Sequence, residues 1–290
     1  MLMMLLSPHF MSAAEPPTSA PGIRLPIEFR RGSLFVPASV NGSNLLSFKL
    51  DTGFGVTTIH PDLVQPLGLK RAGSITIIGI AGEEKAETYE GANFDFKGAN
   101  YSPRRVTVLP SDGQSRRRRD GILGAGFFRR FVVEIDPGQR AMTLHDPKQF
   151  DYTGDGEVIP LSFRHDTPII EAAINFTNRE PVRAKFEIDS GCDGEMCLGH
   201  DFVETYRLNE ASSGRTGSRS GVGGSVDTQH GVLPQFQIGK LTLDQLPANF
   251  FAEGSPAGEG LAGHIGMGTL RKFKIIFDYP RKRMILEPTK

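Results

Sequence analysis

Apolar and polar residues alternate through Phe48-Lys49-Leu50-Asp51, and the same alternation returns at Phe186-Glu187-Ile188-Asp189. A period of two marks a strand with one buried face. Both strands run out on a carboxylate, a small hydroxyl and a glycine: Asp51-Thr52-Gly53 and Asp189-Ser190-Gly191. Glycine at that place predicts a sharp turn. Each acid is therefore expected at a strand end, and Asp51 and Asp189 are expected to face each other and share one site.

The rest of the pattern predicts many short strands. Leu25 to Phe29, Leu34 to Val40 and Leu45 to Leu50 read as strands, with Asn41-Gly42 as a hairpin signal between the last two. His60-Pro61-Asp62-Leu63-Val64 reads as a short helix start, with Leu67 and Leu69 on its apolar face. Ser74 to Ile80 is rich in β-formers and ends in the tip Gly79-Ile80-Ala81-Gly82. Phe94 to Phe96 and Val106 to Leu109 are further strands, and a short amphipathic segment follows Gly124 through Phe131. Val132 to Ile135 and Met142 to Leu144 form a hairpin about Asp136-Pro137-Gly138.

The second half repeats this plan. Asp189 lies 138 positions after Asp51, and Ile170 to Ile174 matches Val36 to Val40 at an offset of 134. From the hairpin tip onward the offset holds at 142, matching Gly79 with Gly221, Phe94 with Phe236, Gly124 with Gly266, Asp136 with Asp278 and Leu144 with Leu286. A constant offset over such a span marks an internal duplication. The expected organisation is a tail at 1–22, a first lobe at 23–148 containing Asp51, a linker at 149–157, and a second lobe at 158–290 containing Asp189.

Composition adds a few constraints. The chain has 290 residues with 34 Gly and 20 Pro, which favours a turn-rich, mainly β protein of two lobes. Its formal net charge is zero, so no global field selects nucleic acid. Met1 to Leu6 is apolar but far shorter than the roughly 20 residues a membrane span needs. With Ser12-Ala13-Ala14 as a small-residue cleavage candidate, it reads as the remnant of an export signal, or else as a disordered tail. Export implies a secreted or periplasmic protein; a cytoplasmic one is the alternative. Cys192 and Cys197 are too few for a disulfide framework or a four-ligand zinc site, and the seven His show no paired metal-ligand spacing. A turn at Asp193-Gly194 would bring the two cysteines together, either as a bridge or as two buried thiols.

Two Asp-[Thr/Ser]-Gly triplets, each in a full repeat and each followed by an apolar-glycine motif (Ile122-Leu123-Gly124 and Ile265-Gly266), resemble the aspartic proteases. In retropepsins one such half dimerises, and in pepsins two halves are fused. The short halves, each with its own glycine-rich tip, look like a fused retropepsin pair. The resemblance spans roughly Leu25 to Pro288. It implies a bilobal acid-protease fold of pepsin/retropepsin type with a pseudo-twofold repeat and a few short helices. It also implies an aspartic endopeptidase acting on peptide or protein as a single-chain pseudo-dimer, without cofactor or metal. A catalytically idle peptide-binding module on the same fold is the alternative.

The residue types suit that chemistry. Peptide hydrolysis needs a base to activate water and an acid to protonate the carbonyl oxygen and the leaving amine. Two carboxylates at close range cannot both ionise cheaply, so they share a proton and supply both roles. Thr52 and Ser190 are expected to hydrogen-bond across to the opposite loop, as the family pattern implies, and Gly53 and Gly191 to let backbone N–H groups approach the acids. Ile122 and Leu123 are expected beneath the first loop, with Gly124 allowing close approach. In the second copy His264 replaces the first apolar residue, ahead of Ile265 and Gly266, and is expected as a partly buried, hydrogen-bonded core residue, with a third catalytic group as the alternative. The tips Ile78-Gly79-Ile80-Ala81-Gly82 and Gly221-Val222-Gly223-Gly224 are expected as flaps over a bound peptide. Two other features are set aside. Gly258 to Gly263 matches a dinucleotide pattern outside any strand-turn-helix unit, and Arg116 to Arg119 reads as a solvated basic loop.

Overall fold

The computed structural model describes residues 22–110 and 119–289. The apolar N-terminal stretch with its cleavage candidate lies outside the described residues, as do Arg116, Arg117 and Arg118 of the basic run.

The described residues form three sheets. A 10-stranded sheet belongs to the first half and an 8-stranded sheet to the second. A 6-stranded sheet draws on both. In it the hairpin Val132–Asp136/Ala141–His145 of the first half meets the hairpin Phe273–Asp278/Arg283–Pro288 of the second. The junction is antiparallel, with Val133 opposite Phe277 and Ile135 opposite Ile275. Ile23–Pro26 closes one edge against the first hairpin, and Glu157–Pro160 closes the other against the second.

The duplication is visible in register. Val40 pairs with Phe94 in the first half, and Ile174 pairs with Phe236 in the second. Phe48 packs edge-on to Phe94 with ring centroids 5.2 Å apart, and Phe186 meets Phe236 in the same way, also at 5.2 Å. All four rings are fully buried. One apolar core runs through both halves, and Phe128 of the first lies edge-on to Phe277 of the second at 5.3 Å. Edge-to-face rings add about 0.5–1.5 kcal/mol each beyond their burial.

Several boundaries differ from the sequence expectation. The segment expected as one strand from Leu25 is two, Ile23–Pro26 and Glu28–Arg30, which serve different sheets on either side of the buried Ile27. The helix start after His60 is one turn of 3-10 helix, Pro61–Leu63. Proline is favoured there because its missing N–H would be unpaired in a first turn anyway. The strand leading to the first tip begins at Lys70 instead of Ser74, through charged and glycine positions that carry no apolar period.

Candidate active site

Each acid stands at the C-terminal end of a central strand, Leu46–Leu50 for Asp51 and Val182–Asp189 for Asp189. A second strand runs parallel beside it. Gly121–Leu123 sets Leu123 level with Leu50, and the Asp51 N–H donates to the Leu123 carbonyl at 3.1 Å. Gly263–Gly266 sets Gly266 level with Asp189. Each parallel strand leads into a short helix, Ala125–Arg130 or Met267–Leu270. Its first N–H ties back to the acid loop: Ala125 to the Phe54 carbonyl at 2.9 Å, Met267 to the Cys192 carbonyl at 2.8 Å. A side chain at Gly124 or Gly266 would strike the carbonyls of the acid loop beside it. Ile122, Leu123, His264 and Ile265 are all buried.

The two loops are locked by a crossed set of hydrogen bonds. The Thr52 hydroxyl donates to the Ile188 carbonyl at 2.7 Å and accepts from the Ser190 N–H at 2.8 Å. The Ser190 hydroxyl donates to the Leu50 carbonyl at 3.1 Å and accepts from the Thr52 N–H at 2.9 Å. Neither side chain is exposed, so these bonds compete with no water. The lock brings each glycine against the opposite acid. A Cβ on Gly53 would sit 2.7 Å from the Asp189 carboxylate, and one on Gly191 would overlap the Asp51 carboxylate. The two carboxyls thereby come close enough for the Asp189 charge to act on Asp51. Asp189 Oδ1 also accepts from the N–H groups of Gly191 at 2.8 Å and Cys192 at 3.2 Å.

The surroundings of the two acids are unequal. Lys49 Nζ lies 3.7 Å from Asp51 Oδ2, and His264 Nδ1 lies 3.7 Å from Asp189 Oδ2. Burial and then the Asp189 charge push the Asp51 carboxyl up to about 7, against the pull of Lys49. That proton belongs to the pair. Burial and the Asp189 charge also push Glu187 up to about 8. For His264 burial acts downward, but Cys192, Asp189 and Glu187 outweigh it and raise the imidazole to about 9. Cys192 is held well below the usual thiol range by its hydrogen bond with Cys197, with His264 assisting.

The two tips are the ends of long hairpins, Lys70–Gly79/Gly82–Glu90 and Ser212–Gly221/Gly224–Ile238. Gly79 faces Gly82 in one and Gly221 faces Gly224 in the other. The tips touch. The Ala81 N–H donates to the Val222 carbonyl at 3.3 Å, Gly223 abuts Ala81 and Gly82, and Ile80 lies over Gly221. Ile80 and Ala81, like Cys192, pack against the buried cluster of Cys197, Val226 and Phe251. Cys192 is three residues past Asp189, so the tips close at the edge of the acid pair. Ile78 points away and is 76% exposed.

Lys49, Glu187 and the cysteine contacts of His264 are the parts of the site that sequence reasoning missed. For the first two a signal was present. They stand two residues before each acid, and period two puts them on the acid's own face of the strand.

Two lobes, each giving one Asp-hydroxyl-Gly loop to a common centre beneath paired hairpins, define the acid-protease class of folds. An aspartyl protease family model matches residues 36–127 and 171–269, well over half of the chain. The protein belongs to the aspartyl protease family. Its fold is similar to the crystal structure of an aspartic proteinase from Irpex lacteus, with a TM-score of 0.63 over 92% of this chain and 97% of that one, at 15% identity. No curated protein matches it in sequence.

Proposed function

We propose that the protein is an aspartic endopeptidase in which Asp51 and Asp189 activate one water between them. The observation that carries this reading is the crossed Thr52–Ser190 lock, which fixes the loops of the buried Asp51 and the half-buried Asp189 against each other. One carboxylate takes a proton from the water as the oxygen attacks the peptide carbonyl. The other carboxyl donates its proton to the carbonyl oxygen. As the C–N bond of the tetrahedral diol breaks, the proton gained by the base passes to the leaving amine, and one diol hydroxyl returns a proton to the carboxylate that acted as acid, which restores the pair. The raised Asp51 carboxyl supports a pair that keeps a proton up to about pH 7.

The tips 78–82 and 221–224 are assigned to covering the substrate, with their backbone N–H and C=O groups bonding an extended peptide. No described helix is long and apolar enough to cross a membrane. The test is cleavage of a denatured protein across pH, with and without a pepstatin-type inhibitor. Hydrolysis that the inhibitor blocks, and that Asp51→Asn and Asp189→Asn each abolish, is expected. Peptide binding without turnover would make the protein an idle binding module instead.

A further inference from the structure

Cys192, Cys197 and His264 come together beside Asp189 from separate parts of the chain. Cys192 lies in the acid loop, Cys197 in the strand Met196–Leu198, and His264 in the strand Gly263–Gly266. Cys197 is directly opposite His264 in an antiparallel pair. One donor atom from each residue lies within 4.8 Å of the other two. In a tetrahedral zinc site with Zn–S of about 2.3 Å, two sulfurs are roughly 3.8 Å apart, so modest side-chain rotation closes the set. His264 is 5% exposed, and its Nε2 has no hydrogen-bond partner. Buried nitrogens are seldom left so, since each unpaired group costs about 1–3 kcal/mol.

The duplication supplies an internal control. The first-half counterpart of Cys192 is Phe54, whose carbonyl accepts from the helix start as that of Cys192 does. Thr58 pairs with Ile122 as Cys197 pairs with His264. The fold therefore builds this corner from Phe54, Thr58 and Ile122, none of them a common metal ligand. All three positions have become soft-metal donors in the second half alone.

We propose that Cys192, Cys197 and His264 bind one thiophilic divalent cation of the zinc type, with water in the fourth position. Two thiolates and a neutral imidazole neutralise the dication, and two protons pass from the three side chains to solvent. The cation would clasp the loop after Asp189 to the parallel strand that supports it. It would also sit against Ile80 and Ala81 of the flap tip. Carboxylate behind histidine behind metal is a recurrent arrangement for orienting the ring, and Asp189 stands 3.7 Å from His264 Nδ1.

The test is cobalt(II) titration of the full, reduced chain without substrate, so its outcome is independent of whether the protein cleaves peptides. A thiolate-to-cobalt charge-transfer band saturating at one equivalent and displaced by zinc is expected. Cys192→Ser, at a half-buried position, should lose the band while keeping the wild-type circular dichroism spectrum. Zinc at a hundredfold excess over its Kd should raise the wild-type melting temperature by about 5–10 °C and leave that of Cys192→Ser unchanged. No band at stoichiometric cobalt, or one undiminished in folded Cys192→Ser, overturns the assignment.

Discussion

Replacing Asp51 by asparagine should abolish peptide cleavage and yet stabilise the protein at neutral pH. The wild-type carboxyl moves from its ordinary 3.8 to about 7 on folding. Between those values the unfolded chain loses this proton while the native protein keeps it. The unfolded state is thus favoured progressively as pH rises, and stability falls from about pH 4 to about pH 7. At 1.36 kcal/mol per tenfold change the full effect is about 4 kcal/mol. The groups facing Asp51 are Asp189, Lys49 and Arg119. Asparagine is neutral throughout and can donate to Asp189. It also leaves Lys49 without its anion, which returns part of the gain, so a net stabilisation of about 1–3 kcal/mol at pH 8 is expected. Urea denaturation of both proteins from pH 3.5 to 8 measures it. The two should agree at the acid end and diverge as pH rises, and Glu187 should add to the divergence, because the Asp51 charge is one of the causes that raise its carboxyl. A difference that does not change with pH would refute the reasoning.

Further outcomes follow from the same geometry. Ser190→Ala strands the Thr52 N–H and the Leu50 carbonyl in a dry interface, and should cost about 2–4 kcal/mol by denaturant titration, whereas Ser190→Thr should keep most of the stability, as Thr52 does in the first loop. Gly191→Ala puts a methyl group into the Asp51 carboxylate, and turnover should fall by about a hundredfold or more as the acids are displaced. In wild type, kcat/KM should fall as pH rises through about 7, where the shared proton is lost. Lys49→Met, which removes the cation 3.7 Å from Asp51, should move that fall to higher pH.

Much of this site is readable from the chain because it is built on periods. Alternation marks the two acid-bearing strands, and the fixed offset of 142 anticipates that Gly79 faces Gly82 as Gly221 faces Gly224. Lateral neighbours are another matter. Glu187 and Cys197 flank His264 from opposite sides, one in a parallel pair and one in an antiparallel pair. Which strands lie side by side depends on the whole sheet, and no local pattern near residue 264 carries it. Cysteine counts and histidine spacings therefore carry no sign of a cluster that only register assembles. The strand ahead of the first tip extends beyond its apolar pattern for a related reason. Lys70, Arg71 and Gly73 do not alternate, and their place in the sheet is held by pairing with Glu90, Tyr89 and Thr88.

The mixed sheet bears on what happens if the chain is cut. Val133 and Ile135 are hydrogen-bonded into the ladder of Phe277 and Ile275, and all four side chains are fully buried. Proteolytic nicking between residues 149 and 157 would sever the covalent tether and leave this seam in place. The two fragments should travel as one particle in gel filtration under native conditions and separate only in denaturant.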